Sequence, residues 1–185
     1  MLDGRWTLEP CDWDAVSRLA EALGVSETTA TILVRRGHVD PVQAAAFLAA
    51  EPLRHDPLLL GDMATAVDRI RGGVERGEVI CVHGDYDADG ICATAVAVLT
   101  LRALGADVRW HLPSRFEEGY GLHGDTLTRL AGEGYGLVVT VDCGITAVDE
   151  VALARSLGVE VVVTDHHQPR ADGVLPDAPI VHPAL

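Results

Sequence analysis

The 185-residue chain is 48% hydrophobic and carries 14 arginines, no lysine and 28 acidic residues, for a formal charge of −14. That length suits one domain, or one domain with an appendage, and the apolar content excludes a disordered chain. No apolar run approaches the ~20 residues of a membrane span, and Met1 to Arg5 lacks the basic and apolar regions of a signal peptide, so the sequence reads as cytoplasmic.

Charge is unevenly spread. Residues 1–77 hold 8 arginines against 12 acids, whereas 78–185 hold 6 against 16. A protein that grips nucleic acid by counterion release is basic on at least one face. Taken alone, this chain does not have the composition of a strong DNA clamp. An acidic excess is, however, what a divalent-cation site leaves in a count that omits the metal. Cys11, Cys81, Cys92 and Cys143 form no CxxC pair and no zinc spacing, and are read as structural.

The first 77 residues read as a helical N-terminal region. Trp13, Val16, Leu19, Ala20 and Leu23 recur at helical spacing and Gly24 stands at the end. Ser26 caps a second segment, Thr28 to Arg36, and Asp40-Pro41 starts a third, Val42 to Ala50. Pro52 to Asp62 reads as a loop, and a fourth helix runs from Met63, capped by Asp62, to Val74.

From Glu78 strands and helices alternate. Val79 to Val82 is a strand opening into an acidic cluster. Ile91 to Leu104 is apolar nearly all round and predicts a buried helix. Val108 to Leu112 is a second strand and Asp125 to Leu130 part of a helix. Leu137 to Val141 is a third strand, Ala147 to Leu157 a helix, Val159 to Thr164 a fourth strand, and Ile180-Val181 a short fifth. Continuously apolar strands alternating with helices predict an α/β domain over 78–185, a parallel sheet covered on both faces.

Three strand ends carry chemistry. The first delivers His83, Asp85, Asp87 and Asp89, the third Asp142, the fourth Asp165, His166 and His167. Open parallel sheets bind ligands outside the carboxyl ends of their strands, so topology gathers these residues on one rim. Carboxylates this close repel one another by roughly 4 kcal/mol per pair at ~4 Å and an effective dielectric near 20, unless they splay into water or hold a cation. Mixed carboxylate and imidazole donors suit a first-row divalent metal such as manganese better than calcium, and no bidentate Glu stands where a calcium loop needs one. Asp87 and Asp89, two residues apart, favour different metals with Asp142 bridging. Two ions ~3.5–4 Å apart are the arrangement that clamps a phosphoryl group and activates water. Gly90 is read as a sharp turn into the next helix, whose N-terminus adds anion affinity. His83 is either a ligand or a strand-end residue facing elsewhere. His38, His55, His111, His123 and His182 lack such a context and are read as structural.

Four ordered motifs, Gly84-Asp85-Tyr86-Asp87-Ala88-Asp89-Gly90, Leu112 to Leu122 (Leu-Pro-Ser-Arg-Phe-Glu-Glu-Gly-Tyr-Gly-Leu), Thr140 to Ile145 and Val163-Thr164-Asp165-His166-His167, resemble the DHH phosphoesterase superfamily and its RecJ-type single-strand-specific exonucleases. Arg36-Gly37, Phe47-Leu48, Asp56-Pro57 and Ala66-Val67 extend the resemblance over nearly the whole chain. It implies a 5′-3′ exonuclease acting on single-stranded DNA in repair and recombination. It also implies two divalent ions, Mn2+ first and Mg2+ or Co2+ as substitutes, with single-strand-binding protein and a helicase as partners. Carried over residue by residue, Asp87, Asp89 and Asp142 bind metal, Asp142 as bridge. His166 binds the second ion, and His167 contacts the scissile phosphate or acts as an acid. Asp85 is a ligand or supports one, Asp165 orients an imidazole, and Arg115 contacts phosphate. His83 matches a metal-binding histidine of the superfamily's pyrophosphatases, a position that varies in RecJ-type proteins. Ser114 departs from the usual Asn. The resemblance expects a longer catalytic domain with a further metal-binding aspartate, an associated domain and an oligonucleotide-binding fold after Leu185, and so weak or no nuclease activity from these 185 residues. Two other readings stand beside it: a phosphoesterase of the same superfamily acting on short oligonucleotides, cyclic dinucleotides or pyrophosphate, and a non-catalytic scaffold of the same fold.

Overall fold

The computed structural model describes residues 9–50 and 55–185. The signal-peptide reading at Met1 to Arg5 and the start of the loop at Pro52 lie outside the described residues. Two compact units divide between His55 and Asp56.

In the first unit, α1 (Trp13–Leu23), α2 (Glu27–Arg35) and α3 (Pro41–Leu48) each begin at a side-chain cap: Asp12 accepts from Ala15 N, Ser26 from Thr29 N and Asp40 from Val42 N and Gln43 N. These caps satisfy amide donors that a helix start leaves unpaired. Val16, Leu19, Ala30, Leu33 and Ala44 close a small core.

The second unit starts with a 3₁₀ turn, Pro57–Leu59, inside the stretch read as loop, and α4 (Met63–Glu75). The helix read as the last of the N-terminal region therefore belongs to the unit that carries the sheet. Asp62 stands before α4 but does not cap it. Its Oδ2 accepts from Ile180 N at 3.0 Å and its own N–H donates to Ile180 O, a pairing across 118 residues that local pattern cannot foresee.

β1 (Val79–His83), β2 (Asp107–His111), β3 (Leu137–Val141), β4 (Glu160–Thr164) and β5 (Ile180–Val181) form one parallel sheet in the order β2-β1-β3-β4-β5. Strand residues alternate between two cores. Ile80, Val82, Leu137, Val139 and Val162 meet Ala66 of α4 and Val98 and Leu101 of α5 (Ala88–Ala103). Cys81, Val138, Val161 and Val163 meet Leu127 and Leu130 of α6 (Gly124–Gly132) and Val151 and Ala154 of α7 (Val148–Ser156). This is the predicted α/β sheet with helices on both faces. Arg69 of α4 ties the amino ends of the strands, pairing with Glu78 at 2.7 Å and Glu160 at 2.6 Å.

α5 corrects two expectations. It starts at Ala88 rather than Ile91, because Asp87 is its N-cap, accepting from Gly90 N at 3.0 Å. It is also not buried all round: Thr94, Val98 and Leu101 face the sheet while Val96, Leu99 and Leu104 are about two-thirds exposed. No helix of the described residues is long and apolar enough to cross a membrane.

Candidate metal centre

The strand order reverses between β1 and β3, and the carboxyl-end loops of β1, β3 and β4 meet beside that switch point, where open α/β sheets place ligands. Two groups of potential ligand atoms converge there: Asp85, Asp87 and Asp142 in one, Asp142, His166 and His167 in the other. Asp142 belongs to both. Asp89 lies with the second, its Oδ2 3.5 Å from His166 Nε2. Six residues from three loops are thus gathered, as strand-end logic predicts, and His83 is in neither group.

Gly90 has a different duty from the one its sequence context suggests. It sits in the first helical turn, and a Cβ there would stand 2.5–2.6 Å from the backbone N and O and the Cβ of Asp85. Its role is close approach rather than a turn. Gly84 matches it, since a Cβ there would lie 2.0 Å from Thr94 Oγ1. The two glycines press the start of α5 onto the loop, and this places Asp85 and Asp87 together.

After β3 the chain turns at Asp142, which takes a left-handed conformation with φ 63°, uncommon for a residue with a side chain. β4 holds the turn: Asp142 N donates to Thr164 O at 3.0 Å and Thr164 Oγ1 to Thr140 O at 2.6 Å. Asp142 Oδ1 lies 2.9 Å from His166 Nε2, while Oδ2 is buried with no partner. Burial raises its pKa above the ordinary value against the His166 hydrogen bond, and the charges of Asp89 and Asp87 raise it further. A buried carboxylate oxygen without a donor is costly; a cation removes that cost. The carboxylate–imidazole set and this orphaned oxygen fit a divalent metal.

Asp165 is the opposite case. Burial pushes its pKa up, but hydrogen bonds from Ile145 N, His167 N, His167 Nδ1 and His166 N outweigh it and hold the carboxyl below its ordinary value. The 2.8 Å contact with His167 Nδ1 fixes that ring's tautomer and leaves Nε2 free. The Asp165 hydrogen bond raises the His167 pKa, against burial. Buried His182 accepts from Ala184 N and places Nε2 2.8 Å from His167 O, bracing the segment from behind.

His83 is fully buried beneath the rim. Its Nδ1 lies 3.8 Å from Cys143 Sγ, and its Nε2 has no partner among the described residues. Burial, with His111 and His123 nearby, lowers its pKa to about 4, so the ring is neutral.

Further side chains border the site. Tyr120 Oη lies 3.1 Å from His167 Nδ1 and 3.4 Å from Asp142 O. Since His167 Nδ1–H donates to Asp165, the hydroxyl donates to the Asp142 carbonyl. Burial and neighbouring carboxylates raise the phenol's pKa, keeping it a donor. Arg115 Cζ sits 4.4 Å over the Tyr86 ring. Glu118 joins His111 at 3.0 Å. The β1–β2 register pairs His83 with His111, and that strand-end alignment is the one signal that could have drawn His111 in.

Comparison with known proteins gives the family. RecJ of Bacillus subtilis, a single-stranded-DNA-specific exonuclease, is 40% identical over 181 residues, 97% of this chain and 23% of the relative. RecJ of Thermus thermophilus is 44% identical over 128 residues, 69% of this chain and 19% of the relative. Its crystal structure with Mn2+ superimposes with a TM-score of 0.72 at 34% identity, covering 97% of this chain and 24% of that one, and a manganese-bound exonuclease RecJ gives 0.66 at 43%, covering 71% and 34%. The chain spans about a fifth of the length of the curated relatives it matches. Residues 79–184 match the DHH family's N-terminal domain, and the chain belongs to that family.

Proposed function

We propose that this chain carries the metal-binding face of a single-strand-specific 5′-3′ exonuclease of DNA repair and recombination, and that the reaction is two-metal phosphodiester hydrolysis. The observation that carries the reading is the pair of ligand groups sharing Asp142, one of whose oxygens is buried without a partner. Asp85, Asp87 and Asp142 are suited to one ion, and Asp142, His166 and Asp89 to the other. Manganese or magnesium, as in the relatives' structures, supplies Lewis-acid polarisation of the phosphate and a water of lowered pKa when bound. The chain's own residues do the rest. Asp165 holds the His167 imidazole with its proton on Nδ1, so Nε2 is presented toward the reacting phosphate. Tyr120 pins the Asp142 carbonyl and borders the same ring. Arg115 makes no ion pair among the described residues, which leaves its guanidinium free for a phosphate. Single-strand-binding protein and a helicase are the partners this reading carries for the whole protein.

The acidic balance of the domain favours a second reading, in which the substrate is a short oligonucleotide rather than a long strand. The test is Mn2+-dependent cleavage of 5′-labelled single-stranded DNA, duplex DNA and dinucleotides by the polypeptide including any continuation beyond Leu185, beside its Asp87→Ala variant. Stepwise release from the 5′ end of single strands, lost in Asp87→Ala, is expected. Equal cleavage by Asp87→Ala, or cleavage confined to dinucleotides, overturns the first reading.

A further inference from the structure

The segment between β2 and α6 crosses the centre, with Arg115 near one end against Tyr86 and Tyr120 at the other against His167. One side chain shapes it. Glu117, Glu118 and Gly119 all donate backbone N–H groups to Ser114 O, at 3.3, 2.9 and 3.0 Å. Glu118 closes the turn from the other direction: its Oε1 accepts from Ser114 N at 3.0 Å, its Oε2 accepts from Thr126 Oγ1 at 2.8 Å and lies 3.0 Å from His111 Nε2. One carboxylate thus joins the turn carrying Arg115 to the end of β2 and to α6. The anchoring strand end is itself tied to the acidic loop, since Gly84 N donates to His111 O at 3.0 Å. An acidic residue beside a centre already crowded with carboxylates opposes phosphate binding unless its charge is spent elsewhere, and here three donors surround it.

We propose that Glu118 is a positioning residue: it holds the 113–121 segment in the shape that keeps Arg115 against Tyr86, where the guanidinium can meet a substrate phosphate. The proposal rests on the phosphodiester reading above for what Arg115 does, and on geometry alone for what Glu118 does. Two measurements on the 185-residue chain separate these.

The first needs no ligand. In protein labelled with ¹⁵N-arginine, the Arg115 Nε–Hε signal is displaced by the Tyr86 ring, as a Tyr86→Leu variant identifies. In Glu118→Gln, whose amide presents N–H groups to Thr126 Oγ1 and His111 Nε2 if its oxygen keeps Ser114 N, this signal moves toward its Tyr86→Leu position. A signal that stays put in Glu118→Gln and in Glu118→Ala overturns the proposal. The second measurement is the affinity of the Mn2+-loaded protein for a 5′-phosphorylated thymidine dinucleotide. Arg115→Ala and Glu118→Gln each weaken it about 10- to 100-fold, the range of one charge-assisted hydrogen bond. The double variant is no weaker than Arg115→Ala, because Glu118 acts through Arg115. Additive losses, or a Glu118→Gln protein with reduced Mn2+ affinity, overturn the proposal. If the Arg115 signal moves as expected but Arg115→Ala binds the dinucleotide normally, positioning stands and the phosphate reading of Arg115 falls.

Discussion

Replacing Gly90 with alanine tests whether the acidic loop is shaped by close packing. An added Cβ would stand 2.5 Å from Asp85 N and 2.6 Å from both Asp85 Cβ and Asp85 O. Ordinary contact needs a further ~1 Å, and two of the three atoms are backbone, so the loop must yield as a unit. Overpacking of this kind costs about 1–3 kcal/mol, and the better helix propensity of alanine returns about 0.8–1 kcal/mol. A net loss of roughly 0–2 kcal/mol is expected in urea unfolding. The larger effect falls on metal binding. Ligand distances are held to within about 0.2 Å, so a shift of ~1 Å at Asp85 and Asp87 lowers Mn2+ affinity about tenfold or more in calorimetric titration. Gly132, the last residue of α6, is the matched control: nothing lies within 4 Å of a Cβ there and its φ is not positive, so Gly132→Ala is neutral or slightly stabilising and binds Mn2+ normally. Equal stability and equal Mn2+ affinity in the two alanine variants would refute the argument.

Two other expectations concern stability. His83 is buried and neutral with its pKa lowered from 6.5 to about 4, so between those values the unfolded chain binds more protons than the folded one. Stability is full above pH 6.5 and falls as pH drops toward 4, by about 3 kcal/mol in all. Urea midpoints from pH 8 to 4.5 in EDTA should fall more steeply for the native protein than for His83→Leu; parallel curves would count against it. Arg69 carries the paired charge of Glu78 and Glu160 with its side chain 14% exposed, so Arg69→Ala should cost about 2 kcal/mol, leaving Mn2+ affinity unchanged because it acts at the other end of the strands. A coupled loss of metal binding would mean that this ion pair also shapes the site.

Where sequence reading succeeded and failed has physical causes. β3 was legible to the residue, since Leu137 to Val141 is a continuous apolar run between Gly136 and a strand-end aspartate. The gathering of Asp85, Asp87, Asp142, His166 and His167 followed from one rule, that parallel strands deliver their carboxyl ends to one side. The start of α5 was misplaced because three acids in a row of five read as loop, although Asp87 is at once a helix cap and a member of the carboxylate group. Asp62 was misread for the complementary reason: it has the chemistry of a cap, but a backbone partner at Ile180 outcompetes the local one. Glu118 and Tyr120 were present in a recognised motif, yet their duties depend on how a ten-residue connection folds back over β2 and His167, which no periodicity encodes.

The centre also shows how a chain can hold several carboxylates together. Asp87 is satisfied by Gly90 N, Asp85 by Tyr86 N and Asp165 by three backbone amides and an imidazole. In each, the fold supplies donors that a metal need not replace. Asp142 is the exception on every count: left-handed backbone, raised pKa, and one buried oxygen with no donor. Strain and unsatisfied polarity concentrate where stability has been yielded to function, and here they fall on the one residue that both ligand groups share. The structural cost of the site is therefore carried at the position where a bridging cation would repay it most.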